Sequence, residues 1–217
     1  MGRTIAIGDV HGCAWEFEKL LKKIKPEPTD TIIQLGDLIN KGPNSHDVIT
    51  IAQYYKISAV MGNHELRLLK AKKDNKGKAL SSYNRETYEQ LTKKDWKWIK
   101  QLPKYIHKKP LKSVFVHGGF LPDSPWRSQP IEVVSQVQVI DKKGNPQKRS
   151  DAPSGKLWVN LWKKKPFVIY GHIPRRKVYR TKKTIGIDTG CVYGGNLSAY
   201  ILEEDRIVRV AAKKAYC

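Results

Sequence analysis

Short apolar runs alternate with segments of helical periodicity over residues 4–62. The run "TIAIG" (4–8) reads as a strand. "AWEFEKLLKKI" (14–24) sets Trp15, Leu20, Leu21 and Ile24 along one helical stripe. "PEPTD" breaks the pattern, because proline removes a backbone donor and restricts the residue before it. "TIIQLG" reads as a second strand, "SHDVITIAQYY" as a second helix and "KISAVMG" as a third strand. A β-α-β-α-β run predicts parallel strands with right-handed crossovers, and in such sheets ligands bind beyond the carboxyl ends of the strands.

Residues 63–102 read as a mostly helical insert, interrupted at "KKDNKGKALSS", with Asp95 as the N-cap of "DWKWIKQL". Beyond Pro103 the pattern turns to strands: "KSVFVHGG", "VVSQVQVI", "PFVIYGH", "KTIGIDTG" and a closing hairpin in "LSAYILEEDRIVRVAA" that turns about "EED". Residues 141–155, "DKKGNPQKRSDAPSG", read as an exposed loop. No repeat or boundary divides the chain, so residues 1–217 are expected to form a single domain.

Composition narrows the setting. The chain has 217 residues and is 40% hydrophobic, which supports a substantial core and excludes a disordered chain. No apolar run approaches the roughly 18–20 residues of a membrane span, and the first residues lack a signal-peptide pattern. Cys13, Cys191 and Cys217 have no metal-type spacing and read as free thiols. A cytoplasmic setting without membrane attachment is the expectation. The net charge of +21 attracts anions such as phosphate esters or nucleic acid, or else reflects a solvated lysine-rich surface. Charge alone selects neither.

The candidate chemistry sits where apolar strands stop: Asp9 and His11 in "GDVHG", Asp37 in "GDLINKGP", Asn63 and His64 in "GNHE", His117 in "VHGG" and His172 in "YGH". Carboxylate, imidazole and amide oxygen form a mixed N/O donor set that suits Mn, Fe, Zn, Co or Ni. No cysteine accompanies them, which argues against a structural zinc site.

These motifs, in this order from residue 8 to residue 172, resemble the calcineurin-like metallophosphoesterases, a superfamily that includes the phosphoprotein phosphatases. Within it, "GDLINKGPNS" and "GIDTGCVYGGNLSAYIL" resemble the diadenosine-tetraphosphatase-like (ApaH-like) branch. The resemblance implies a four-layer α/β/β/α sandwich of two mixed sheets flanked by helices. It implies two divalent transition-metal ions, manganese first: Asp9 and His11 on one, Asp37 bridging, and Asn63, His117 and His172 completing the other. A water activated between the ions would attack phosphorus in line with the leaving oxygen. His64 would protonate the leaving group, and Lys41 would face the phosphate.

Many phosphoprotein phosphatases carry Asp-Arg where this chain has Asn40-Lys41. Lysine lacks arginine's bidentate fork, and Asn40 cannot stabilise a histidinium as a carboxylate would. Both departures argue against a standard protein phosphatase and are compatible with the ApaH-like branch, and the resemblance to that branch implies phosphoanhydrides, namely dinucleoside polyphosphates or polyphosphate. A serine/threonine protein phosphatase with the same centre is the alternative, followed by a basic nucleic-acid-binding protein with a vestigial site. Trp126 is the best candidate for stacking a base, against packing in the core, and Arg127 or Arg149 for a second phosphate contact, against a plain surface position. Asp188 reads either as a residue orienting a ligand histidine or as part of a glycine-rich turn. The remaining tryptophans read as packing residues, and His46 and His107 as ordinary surface and strand residues.

Overall fold

The computed structural model describes residues 2–217. The first half follows the alternation: β1 (Thr4–Ile7), α1 (Ala14–Ile24), β2 (Thr31–Gln34), α2 (Ser45–Tyr54) and a short β3 (Ser58–Ala59). The insert holds α3 (Asn63–Lys73), α4 (Ser82–Gln90) and α5 (Lys93–Lys100). Then come β4 (Tyr105–Lys108), β5 (Ser113–Val116), α6 (Ile131–Val134), β6 (Val139–Ile140), β7 (Pro146–Gln147), β8 (Lys156–Leu157) and α7 (Trp158–Leu161). The chain closes with β9 (Phe167–Tyr170), β10 (Tyr179–Arg180), β11 (Thr184–Gly186), β12 (Asn196–Ile201) and β13 (Arg206–Ala211).

Two five-stranded mixed sheets face one another, in the orders β13-β12-β1-β2-β3 and β10-β11-β9-β5-β4. Within them β1-β2-β3 and β5-β9-β11 run parallel. The period-two alternation of each strand builds the layers. Ala6, Ile33, Phe115, Ile169 and Tyr200 form the core between the sheets. Their neighbours Ile5 and Ile7 pack instead under α1 and α2 with Phe17, Leu20, Val48 and Ile49. On the far side, Val114, Val116, Val168 and Tyr170 pack with Phe120, Trp158 and Trp162. Two mixed sheets face to face with helices outside make the four-layer α/β/β/α sandwich that the resemblance implies.

Several expectations are corrected. Trp15 is 39% exposed. The buried stripe of α1 is Phe17, Leu20, Leu21 and Ile24, and Lys213 covers the Trp15 ring at 4.1 Å. The stretch 133–140 is no continuous strand: α6 ends at Val134 and only Val139–Ile140 pair, because Val134 O accepts the Gly118 and Gly119 amides. Thr92, not Asp95, caps α5; Asp95 stands at the third helical position and completes a reciprocal capping box. His46 binds Asp95 at 2.8 Å.

The insert belongs to the helical layer on the first sheet. Leu68, Leu91, Trp96 and Ile99 join the same core as α1 and α2. That packing brings Asn84 of α4 against the loop after β2.

Candidate metal centre

The loops after β1, β2, β3, β5 and β9 converge at one edge of the sandwich. Gln34, fully buried at the end of β2, ties two of them together. Its amide donates to Gly8 O at 3.3 Å and Gly36 O at 2.7 Å, and its Oε1 accepts from Gly36 N at 2.8 Å. Each Gly-Asp pair follows from packing. A Cβ at Gly8 would lie 2.5 Å from Ile187 O and one at Gly36 would lie 2.9 Å from His117 Nδ1; in the Gly-His pair, one at Gly171 would lie 2.1 Å from Asp9 Oδ1. His11, Asp37, Asn40, Lys41 and His172 all have positive φ, between 48° and 78°. Backbone in that region costs non-glycine residues of order 1 kcal/mol each, and such strain gathers at functional sites.

Asp37 is the hub. Its Oδ2 lies 3.2 Å from His117 Nε2, 3.6 Å from His11 Nε2 and 4.0 Å from His64 Nε2. Asn63 Oδ1 lies 3.0 Å from His117 Nε2. Asp9 accepts the His172 amide on both oxygens, at 3.0 and 3.1 Å. Donor groups of His11, Asp37 and His64, and of Asp37, His117 and His172, each cluster within 4.8 Å. The imidazole tautomers are set by backbone carbonyls. Nδ1 of His11 faces Ile39 O at 3.2 Å, which leaves the lone pair on its Nε2; Nδ1 of His117 faces Leu35 O at 2.7 Å, and its Nε2, set between the Asn63 and Asp37 oxygens, becomes a ligand atom only once it gives up its proton. Nε2 of His172 faces both Gln136 O at 3.0 Å and the Gln138 side-chain amide at 3.2 Å, and its Nδ1 is the ring nitrogen left without such a partner.

His64 is held differently. Asn40 Oδ1 accepts from Lys41 N at 3.0 Å and Thr87 Oγ1 at 3.3 Å. Its Nδ2 therefore donates, to Asn84 Oδ1 and to His64 Nδ1 at 2.9 Å. The His64 lone pair is occupied at Nδ1, and its Nε2–H points toward Asp37. In this arrangement His64 is a hydrogen-bond donor toward Asp37.

Glu65, in the same motif, carries a role that the motif reading does not assign. It is fully buried, and its carboxylate accepts four backbone amides: Asp37 N at 2.9 Å, Leu38 N at 2.9 Å, Ile39 N at 3.2 Å and Gly62 N at 3.0 Å. Glutamate at the third position of a helix is the sequence signal for one of these four, the Gly62 amide, through the capping box. The reach to the Asp37 loop is tertiary.

The charges are poised for cations. Burial pushes Asp9 well above the usual carboxylate range, and the facing Asp188 adds to it. Burial also lifts Asp188 to about 6. Burial opposes ionisation of Asp37 too, but His117 and His64 hold it well below its ordinary value. Burial opposes charge on His117 as well, yet Asp37 and Asp9 carry it up to about 10. Burial lowers His11 to about 4, His172 to about 3 and His64 to about 2. One imidazolium and the Lys41 ammonium thus stand among the four buried acidic groups Asp9, Asp37, Glu65 and Asp188. A pair of divalent ions fits this deficit. It also fits the donor spacing, since two donors each about 2.1 Å from one ion lie about 3.0–3.5 Å apart.

Lys41 Nζ reaches 3.5 Å from His11 Nε2 and donates to Tyr193 OH at 2.6 Å. Among the described residues, no contact ties Trp126 or Arg127 to the cluster. The Trp126 ring is 8% exposed, packed on Tyr105 and Phe120, with Arg127 over its face at 4.3 Å. Its faces are therefore taken. Arg149 is exposed, and its amide donates to Gln138 Oε1 at 3.0 Å. Asp188 Oδ1 accepts from Gly190 N at 3.0 Å, the glycine-turn arrangement.

A sequence profile described as calcineurin-like phosphoesterase matches residues 2–211. The asymmetrical bis(5′-nucleosyl)-tetraphosphatase PrpE of Oceanobacillus iheyensis is 28% identical, over 97% of this chain and 92% of that protein. The PrpE of Bacillus subtilis is 29% identical, over 97% and 95%. A crystal structure of a candidate diadenosine tetraphosphatase superposes with a TM-score of 0.85 at 30% identity, covering 97% of this chain and 94% of that one.

Proposed function

The chain belongs to the calcineurin-like phosphoesterase family, and from that premise we propose that it hydrolyses the phosphoanhydride bridge of dinucleoside polyphosphates. In this reading Asp9, His11, Asp37, Asn63, His117 and His172 would hold two divalent ions, manganese by expectation, with Asp37 as the residue that would serve both. One domain carries the centre, with residues 63–102 as its helical insert. When bound, the ions neutralise phosphate oxygens and acidify a water. Lys41 adds a point charge for the phosphate, and His64 offers its Nε2–H to the leaving oxygen. The buried free thiols of Cys13 and Cys191 suit a reducing cytoplasm. Among the described residues, no helix is long and apolar enough to cross a membrane.

The single observation that favours an anhydride over a phosphoprotein is the hydrogen bond from Asn40 Nδ2 to His64 Nδ1. A histidinium needs an acceptor at Nδ1, and here it meets a donor. His64 is therefore a neutral donor and a weak acid. A nucleotide phosphate leaves readily, since its second pKa is only about 6. The alkoxide of serine is a far stronger base and needs a proton as it leaves.

The test is the double variant Asn40→Asp, Lys41→Arg. Turnover of a phosphopeptide relative to diadenosine tetraphosphate should rise at least tenfold. An unchanged ratio would remove the argument from Asn40.

A further inference from the structure

Two loops that carry site residues extend past the centre and enclose a groove of about 550 Å³. One follows His172 and contributes Arg175 and Arg176; the other follows Asp188 and contributes Gly190, Tyr193 and Asn196. The volume is within the roughly 300–1,000 Å³ of small-molecule sites. The groove adjoins the centre through Tyr193, whose hydroxyl accepts from Lys41 Nζ.

Three features describe its occupant. Tyr193 is 46% exposed, so one face of the ring is open although its hydroxyl is held. Gly190, at φ 71°, lies on an open floor: a Cβ there would meet only the Tyr193 ring, at 3.8 Å. Arg175 stacks on Tyr179 at 4.1 Å with its Nε and Nη2 buried and without a hydrogen-bond partner, Arg176 is exposed, and no carboxylate among the described residues pairs with either. An open aromatic face, room for a flat group and unpaired guanidinium charge beside a phosphate-binding centre together suit a nucleoside phosphate.

We infer that this groove seats one nucleoside end of the substrate, with its base stacked on Tyr193 and its proximal phosphate facing Arg175 and Arg176. The inference rests on the anhydride reading and adds to it the part of the protein that recognises the nucleoside. Stacking gains free energy from any base, so the groove selects for a nucleoside but not for adenine over guanine.

The experiment compares kcat/KM for diadenosine tetraphosphate and for tripolyphosphate, which has no base. It uses the manganese-loaded protein, Tyr193→Leu and Tyr193→Phe. Whatever both substrates lose in common through Lys41, the ratio should fall about tenfold in Tyr193→Leu. Tyr193→Phe keeps the ring, so its ratio should stay within about twofold of the parent. A second readout is calorimetric binding of diadenosine tetraphosphate to the metal-stripped proteins. It should weaken about tenfold in Tyr193→Leu only. Equal losses for both substrates, or unchanged binding, would overturn the groove and leave the anhydride reading standing. Turnover of a phosphopeptide with neither anhydride cleaved by the parent would overturn the reading itself.

Discussion

Replacing Glu65 by Gln changes one oxygen to an amino group and leaves the side chain's shape. In the native arrangement Oε1 accepts from Leu38 N and Ile39 N, and Oε2 from Asp37 N and Gly62 N. Burial and the nearby Asp37 push Glu65 up to about 7, while the donors favour its charge. Each oxygen already faces donors, which leaves no acceptor for a carboxyl proton, so the ionised form fits. Glutamine can satisfy only one pair of amides, and its amino group then meets the other pair. Hydrogen bonds to a charged group contribute about 1.5–3 kcal/mol each, so losing a pair costs about 3–6 kcal/mol. Relief of the repulsion with Asp37 offsets part of that, and about 3 kcal/mol of destabilisation is expected. For a chain of this size that lowers the melting midpoint by about 6–12 °C. The loop bearing Asp37 would shift as well, and a displacement of 1 Å costs about 100-fold in turnover. Thermal unfolding and steady-state kinetics of Glu65→Gln measure both, with Glu89→Gln on the exposed face of α4 as control. A midpoint within 2 °C of the parent, on the scale expected for a surface change, would refute the view that this carboxylate holds the loop.

Two further outcomes follow from the same geometry. Gly171→Ala places a methyl 2.1 Å from Asp9 Oδ1, so kcat should fall at least about 100-fold while circular dichroism stays native. Away from the site, Arg3 binds Asp30 at 2.6 Å and holds its carboxyl down at about 2. The unfolded value is about 3.9, so this stability is complete above that pH and is lost as pH falls from about 4 to about 2. Melting of the parent and of Asp30→Asn should therefore differ at pH 6 and converge near pH 2; a constant gap would contradict the ion pair's role.

The sheets and the edge where these polar residues gather were legible because each rests on a local signal. Apolar runs ending in Gly-Asp, Gly-Asn or Gly-His mark strands that stop where a polar group must turn inward. What stayed hidden depends on tertiary partners. Trp15 carries the hydrophobicity of a core residue, yet the stripe is phased by Phe17, and lysines cover the indole. Residues 133–140 have strand composition, but the Gly118 and Gly119 amides take the Val134 carbonyl. Trp126 follows a metal motif in sequence while its ring turns into the core of the second sheet. Gln34, Glu65 and Asn84 look like ordinary polar positions until folding sets each against a loop distant in sequence. Tyr193 lies in a motif that resembles the branch, and only its contact with Lys41 shows that it borders the site.

The central claim is that Asp37 anchors a two-ion centre that cleaves anhydrides. Its most direct test is hydrolysis of diadenosine tetraphosphate by the metal-stripped protein, resupplied with manganese, beside Asp37→Asn treated alike. The account predicts that manganese restores cleavage, that the anhydride outruns a phosphopeptide, and that Asp37→Asn loses at least about 100-fold. Cleavage that needs no metal, or that survives in Asp37→Asn, would contradict it.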